Sequence, residues 1–106
     1  MLIHSSRYNT IKSELNSSRP VILSGYNVRD TFLGFPTRYE QGHEWVCDGY
    51  QETYSNGYGY LYFRMNWGWD GNRDGWYAFN NWTITFANGS TVHYQYYKRA
   101  IVGIRP

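Results

Sequence analysis

Apolar positions along the chain recur with two periods. Between Ser6 and Asn16, Tyr8, Ile11 and Leu15 fall at i, i+3 and i+7, which makes one stripe of an α-helix. Ser5 or Ser6 can cap its start, and Arg19-Pro20 blocks its continuation. Val21–Leu23 then reads as a short strand. Ser24–Gln41 is mixed, with Gly25, Gly34 and Pro36, and predicts a loop or an irregular hairpin. From Gly42 onward the chain is strand-like. Residues 43–50 predict one strand, closed by Asp48-Gly49, and residues 58–67 a second, joined by a turn around Ser55-Asn56-Gly57. A third covers about 75–80, a fourth 82–87 and a fifth 90–97, the last two joined by Asn88-Gly89, and Ala100–Ile104 closes the chain. The expected fold is α+β, one N-terminal helix followed by a twisted antiparallel β-sheet, in a single domain over residues 1–106.

Composition sharpens this picture and removes several functions. Aromatic residues make up 21% of the chain and charged residues only 17%, which favours strands over disorder. The formal charge of +2, with no basic run, implies no nucleic-acid partner. One cysteine excludes an internal disulfide framework and a cysteine-based zinc site, and no cofactor or metal is expected. No apolar stretch approaches the roughly 20 residues that span a bilayer, so no membrane partner is expected. The opening MLIHSSRYN has no signal-peptide core.

Chemistry concentrates in two segments, GHEWVCDGY at Gly42–Tyr50 and YFRMNWGWDGNRDGWYAF at Tyr62–Phe79. They put a histidine on one strand and an asparagine-tryptophan pair on a later one. With the ending AIVGIRP, they resemble the C-terminal part of streptopain-like cysteine peptidases, bacterial secreted enzymes with a papain-like fold. The family pattern runs G-H-A-[FW]-V-x-D-G, N-W-G-W-G-G, D-G-[WYF] and a final V-x-I-[KR]-P. The resemblance implies that the chain is the histidine-bearing half of such a peptidase domain, acting on a peptide or protein substrate. By position it makes His43 the catalytic base and acid, Asn66 its orienting partner, Trp67 a shield and subsite wall, and Trp69 the second tryptophan of the loop. The chemistry needs these types. An imidazolium favours the thiolate of a nucleophilic cysteine and later protonates the leaving amine, and an acceptor on the other ring nitrogen fixes the tautomer.

The departures from the pattern matter as much. The family's nucleophilic cysteine and oxyanion-hole glutamine belong to an N-terminal half absent from these residues. Glu44 replaces an alanine and Asp70 a glycine, both bringing negative charge toward the imidazole. Cys47 shares a strand face with His43, but four strand residues span about 13 Å, so it reads as a buried small hydrophobe. Alone, the chain is expected not to hydrolyse peptides, and to pair with the missing half or with a second copy of itself. Two rival readings are a non-catalytic peptide- or partner-binding remnant and an aromatic-rich carbohydrate-binding module, the latter requiring Trp67, Trp69 and Trp76 in solvent on one face. His4 and His93 have no partner motif. Asp70–Gly75 mimics the opening of a calcium loop, but Asn81 stands where the bidentate acid would be. Secretion is expected from the resemblance alone.

Overall fold

The computed structural model describes residues 7–105. One helix, α1 (Tyr8–Asn16), precedes seven strands: β1 (Val21–Phe32), β2 (Phe35–Ser55), β3 (Tyr58–Asn66), β4 (Gly75–Ala78), β5 (Thr83–Thr85), β6 (Thr91–His93) and β7 (Tyr96–Ile101). The molecule is thus mostly antiparallel sheet with one short helix, the α+β arrangement expected. The proposed caps Ser5 and Ser6, His4 and the final Pro106 lie outside the described residues.

The expected helical stripe is the one that packs. Ile11 is fully buried, and Tyr8 and Leu15 lie against the core. Tyr8 meets Phe79 edge-on at 4.9 Å. Its far end is tied to β2 by the Tyr50 hydroxyl, which donates to Asn16 Oδ1 at 2.7 Å, and by the Lys12–Glu52 ion pair. Ser18, in the left-handed region at φ 58°, and Pro20 end the helix.

Five strands form one sheet in the order β4-β3-β2-β1-β7, and β5 and β6 form a separate pair. The segment read as a loop or irregular hairpin is a regular one. β1 and β2 pair from Val21↔Cys47 out to Phe32↔Phe35, with one irregularity at Asp30/Thr31. Leu33 and Gly34 make the two-residue turn, both at positive φ. The later strands are shorter than expected, because Tyr94 and Gln95 break the run 90–97 and Tyr96 begins β7 instead.

Side chains alternate across these strands, and one face is apolar. Val21 and Leu23, Trp45 and Cys47, Phe63, Met65 and Trp67 all turn inward and are buried. Trp82, Ile84 and Tyr94 close this layer from the β5–β6 side. β2 keeps both of its halves on that layer only through a bulge. Cys47 pairs with Met65 but Gly49 pairs with Arg64, so Asp48 is an extra residue. Asp48 turns outward and bonds Arg64 Nε at 2.7 Å.

One close approach inside this packing is testable. Gly25 pairs with His43 and lies under Tyr94, and a Cβ built on it would meet the Tyr94 carbonyl oxygen at 2.5 Å. A backbone atom cannot swing aside as a side-chain tip can. Gly25→Ala is expected to cost about 1–3 kcal/mol, the usual range for overpacking, as a lower urea midpoint at unchanged slope. An unchanged midpoint would show that Tyr94 does not lie against Gly25.

Candidate active site

His43 lies on the inner face of β2, half-buried, two residues before Trp45. Its Nε2 is 2.9 Å from the backbone carbonyl oxygen of Trp67. A carbonyl oxygen can only accept, so in the neutral ring Nε2 carries the proton and Nδ1 holds the lone pair. Nδ1 has no hydrogen-bond partner among the described residues. The ring is held flat by aromatics. Trp69 stacks on it at 5.1 Å and 14°, Trp45 lies at 5.9 Å and 26°, and Tyr94 at 5.7 Å and 37°. A hollow of about 460 Å³ is bordered by Ser24, Gly25, Tyr26, Gly42, His43, Glu44 and Arg99, of which Ser24, Glu44 and Arg99 are register partners on the sheet face opposite to Leu23, Trp45 and Ala100.

The carbonyl that receives the imidazole proton is itself fixed. After β3 the chain turns through Gly68, Asp70, Gly71, Arg73 and Gly75, all at positive φ. Asp74 Oδ1 accepts the Trp67 N–H at 2.9 Å, and the Arg73 carbonyl accepts the Trp67 indole N–H at 2.9 Å and the Tyr77 hydroxyl at 2.6 Å. The run that mimics a calcium loop therefore has a different use for Asp74, which anchors the Trp67 peptide.

Asn66 does not orient His43 in this structure, contrary to expectation. Asn66 pairs with Val46, so its side chain takes the outer sheet face, opposite to His43, Trp45 and Cys47. Its Oδ1 accepts the Gly68 N–H at 3.1 Å, and it borders a separate hollow with Asp48, Arg64 and Asp74. The acceptor on Nε2 comes from the neighbouring backbone instead.

Trp67 and Trp69 also divide the work differently from the expectation. The Trp67 indole is buried and cannot form a subsite wall, whereas half-buried Trp69 covers the imidazole and stacks on Trp67 at 5.8 Å and 15°. The aromatic row required of a carbohydrate-binding surface is broken, since of Trp67, Trp69 and Trp76 only Trp76 is well exposed. Tyr94, Gly25 and Asp74 are neighbours of the site to which the sequence assigned no part beside His43. Only Asp74 left a signal, its position seven residues after Trp67 in a glycine-rich turn.

With this geometry in view, comparison with known proteins is specific. A model of the Peptidase C10 family matches residues 2–77, and the chain belongs to that family, the streptopain-like cysteine peptidases. The match ends at Tyr77 inside β4, so the resemblance of the ending from Ala100 lies beyond it. No curated protein matches the chain.

Cys47 is fully buried, with Sγ 3.7 Å from the Gly49 carbonyl oxygen, and burial pushes its thiol up to about 12. Thiolate is the reactive form, so at pH 8 a thiol reagent is expected to label the native chain slowly and the urea-unfolded chain roughly 10²-fold faster or more. Fast labelling of the native protein, with a rate titrating near neutral pH, would make Cys47 an activated thiol. The same shift has a stability consequence. A folded-state thiol held above its unfolded value of 9.0 contributes stability that is present below pH 9 and lost as pH rises toward 12.

Proposed function

We propose that this chain is the histidine-bearing lobe of a papain-like cysteine endopeptidase, secreted and bacterial as its family resemblance implies. His43 is the catalytic base and acid. The Trp67 carbonyl orients it, and the Trp69 indole shields the pair from water. The nucleophilic cysteine comes from a second lobe, either another segment of a longer chain or a separate molecule.

The observation that carries this reading is the 2.9 Å contact between His43 Nε2 and the Trp67 carbonyl oxygen. It leaves Nδ1 as the nitrogen that can take a proton from a thiol. The thiolate then attacks the substrate carbonyl carbon. Nδ1–H gives its proton to the departing amine, and a thioester remains. Water, deprotonated by the same nitrogen, attacks that thioester and frees the thiol. The Nε2–H···O=C bond strengthens whenever the ring is charged, as expected of a group that steadies an imidazolium. Asn66 takes no direct part and shapes the turn that carries Gly68.

Mixing the chain with the cysteine-bearing N-terminal lobe of a family member should produce peptide cleavage. His43→Ala is expected to reduce it by roughly 10²- to 10⁴-fold, the range for a general acid–base group. Asn66→Ala should cost less than about tenfold, since its carboxamide holds only a turn N–H. Activity that survives His43→Ala sinks the assignment. A loss on Asn66→Ala as large as that on His43→Ala would return the orienting role to the carboxamide.

A further inference from the structure

The β1–β2 hairpin ends in Phe32-Leu33-Gly34-Phe35, and nothing in the described chain covers it. Phe32 is 68% exposed, Leu33 82% and Phe35 72%. Phe32 and Phe35 are directly paired, so their rings share one face of the ribbon, with Leu33 at the apex. β7 stops pairing with β1 at Tyr26, so from Val28 outward the hairpin is a two-stranded ribbon without a third strand. A surface turn of this type ordinarily takes Asn-Gly or Asp-Gly. Here a leucine sits at φ 52°, a left-handed conformation that branched apolar residues disfavour. A strained, exposed leucine between two exposed phenylalanines is a local rule broken without any gain inside the molecule.

We propose that this tip inserts into the interfacial layer of a lipid membrane, independently of the peptidase reading. The order of residues behind the apex suits that partner. Next to the apolar tip comes a belt of Arg29, Asp30, Arg38 and Glu40. Arg38 pairs with both acids, with Nη2 3.1 Å from Asp30 Oδ2 and 2.8 Å from Glu40 Oε1, while the Arg29 guanidinium lies over the Tyr96 ring at 4.7 Å. The two positive and two negative groups cancel, which complements a zwitterionic headgroup rather than a polyanion. A tyrosine cluster begins at the level of the belt, where Tyr39 pairs with Arg29, and continues behind it. Tyr39 stacks on Tyr97 at 5.0 Å, and Tyr26 lies 5.6 Å from Tyr39. Tyrosine rings favour the membrane–water boundary. A strand rises about 3.3 Å per residue, so Asp30 follows the apex by about 10 Å, comparable to the roughly 5–10 Å that interfacial apolar groups penetrate. Such an anchor needs no 20-residue apolar run. No helix among the described residues is long and apolar enough to cross a membrane.

The test is co-sedimentation of the whole chain with phosphatidylcholine vesicles, compared with the triple variant Phe32→Ser, Leu33→Asn, Phe35→Ser. Asparagine tolerates positive φ better than leucine, so the variant's melting temperature should match or exceed that of the parent, and lost binding cannot then be blamed on unfolding. The expected result is vesicle binding by the parent that is insensitive to salt and to added anionic lipid, falling about 10²-fold in the variant. Three results would overturn the proposal: no binding by the parent, binding that the variant retains, or a variant that loses self-association or peptidase-lobe pairing while vesicle binding is absent.

Discussion

The arrangement of the candidate site depends on one extra residue in β2. In an uninterrupted strand, even positions such as Tyr50 and Glu52 and odd positions such as Trp45 and Cys47 would face opposite ways. The helix needs the even ones, because Lys12 pairs with Glu52 and Asn16 accepts from Tyr50. The core layer under β5 and β6 needs the odd ones. The bulge at Asp48 reverses the alternation between the two halves, so both face the same side of the sheet. His43 precedes the bulge and, like Trp45 and Cys47, faces the inner side, where it meets Trp67 and Trp69. The outward Asp48 is not left idle, since it holds Arg64 across the strand pair.

A second constraint operates on the other side of the imidazole. A backbone carbonyl can orient a histidine only if the peptide carrying it cannot rotate. The Trp67 peptide is held at its N–H by Asp74, and its indole is clamped by the Arg73 carbonyl and the aromatic layer. Five positive-φ residues curl residues 68–75 tightly enough to bring Asp74 back to residue 67. Three of these five are glycines, which adopt such angles at little steric cost, while Asp70 and Arg73 adopt them with a Cβ. The loop thus spends local strain on a fixed acceptor, and residue 66 is left to complete the turn.

Much of this was legible from the residues. The stripe Tyr8, Ile11 and Leu15 predicted the packed face of the helix, and the strand-like runs 43–50 and 58–67 predicted the two paired strands that hold Trp45 and Phe63. The motif pair placed His43 beside the tryptophan loop. Register was not legible. A one-residue slip moves every side chain to the other face, and nothing in the composition of 58–67 states that Asn66 pairs with Val46. The backbone acceptor was also invisible, because every residue carries a carbonyl and residue type gives no sign of which one is used. The long β1–β2 hairpin was missed because Gly25, Gly34 and Pro36 read as loop punctuation. Gly25 is instead required by the Tyr94 backbone above it, Gly34 by the turn, and Pro36 sits one residue from the turn beside an irregularity in the pairing, where a lost ladder hydrogen bond matters least.

These two constraints explain why the single thiol is excluded from the chemistry although it lies on the same strand face as the histidine. Both residues precede the bulge, so plain alternation puts Cys47 and His43 on one face. Along the strand, however, the two side chains stay about 13 Å apart, with buried Trp45 between them. Bringing the sulfur to the imidazole would mean displacing that indole, which contacts Trp67, Trp82 and Tyr94. The rings that position His43 are therefore the same ones that separate it from Cys47. The packing that orients the base through Nε2 leaves Nδ1 for a thiol from outside the described residues.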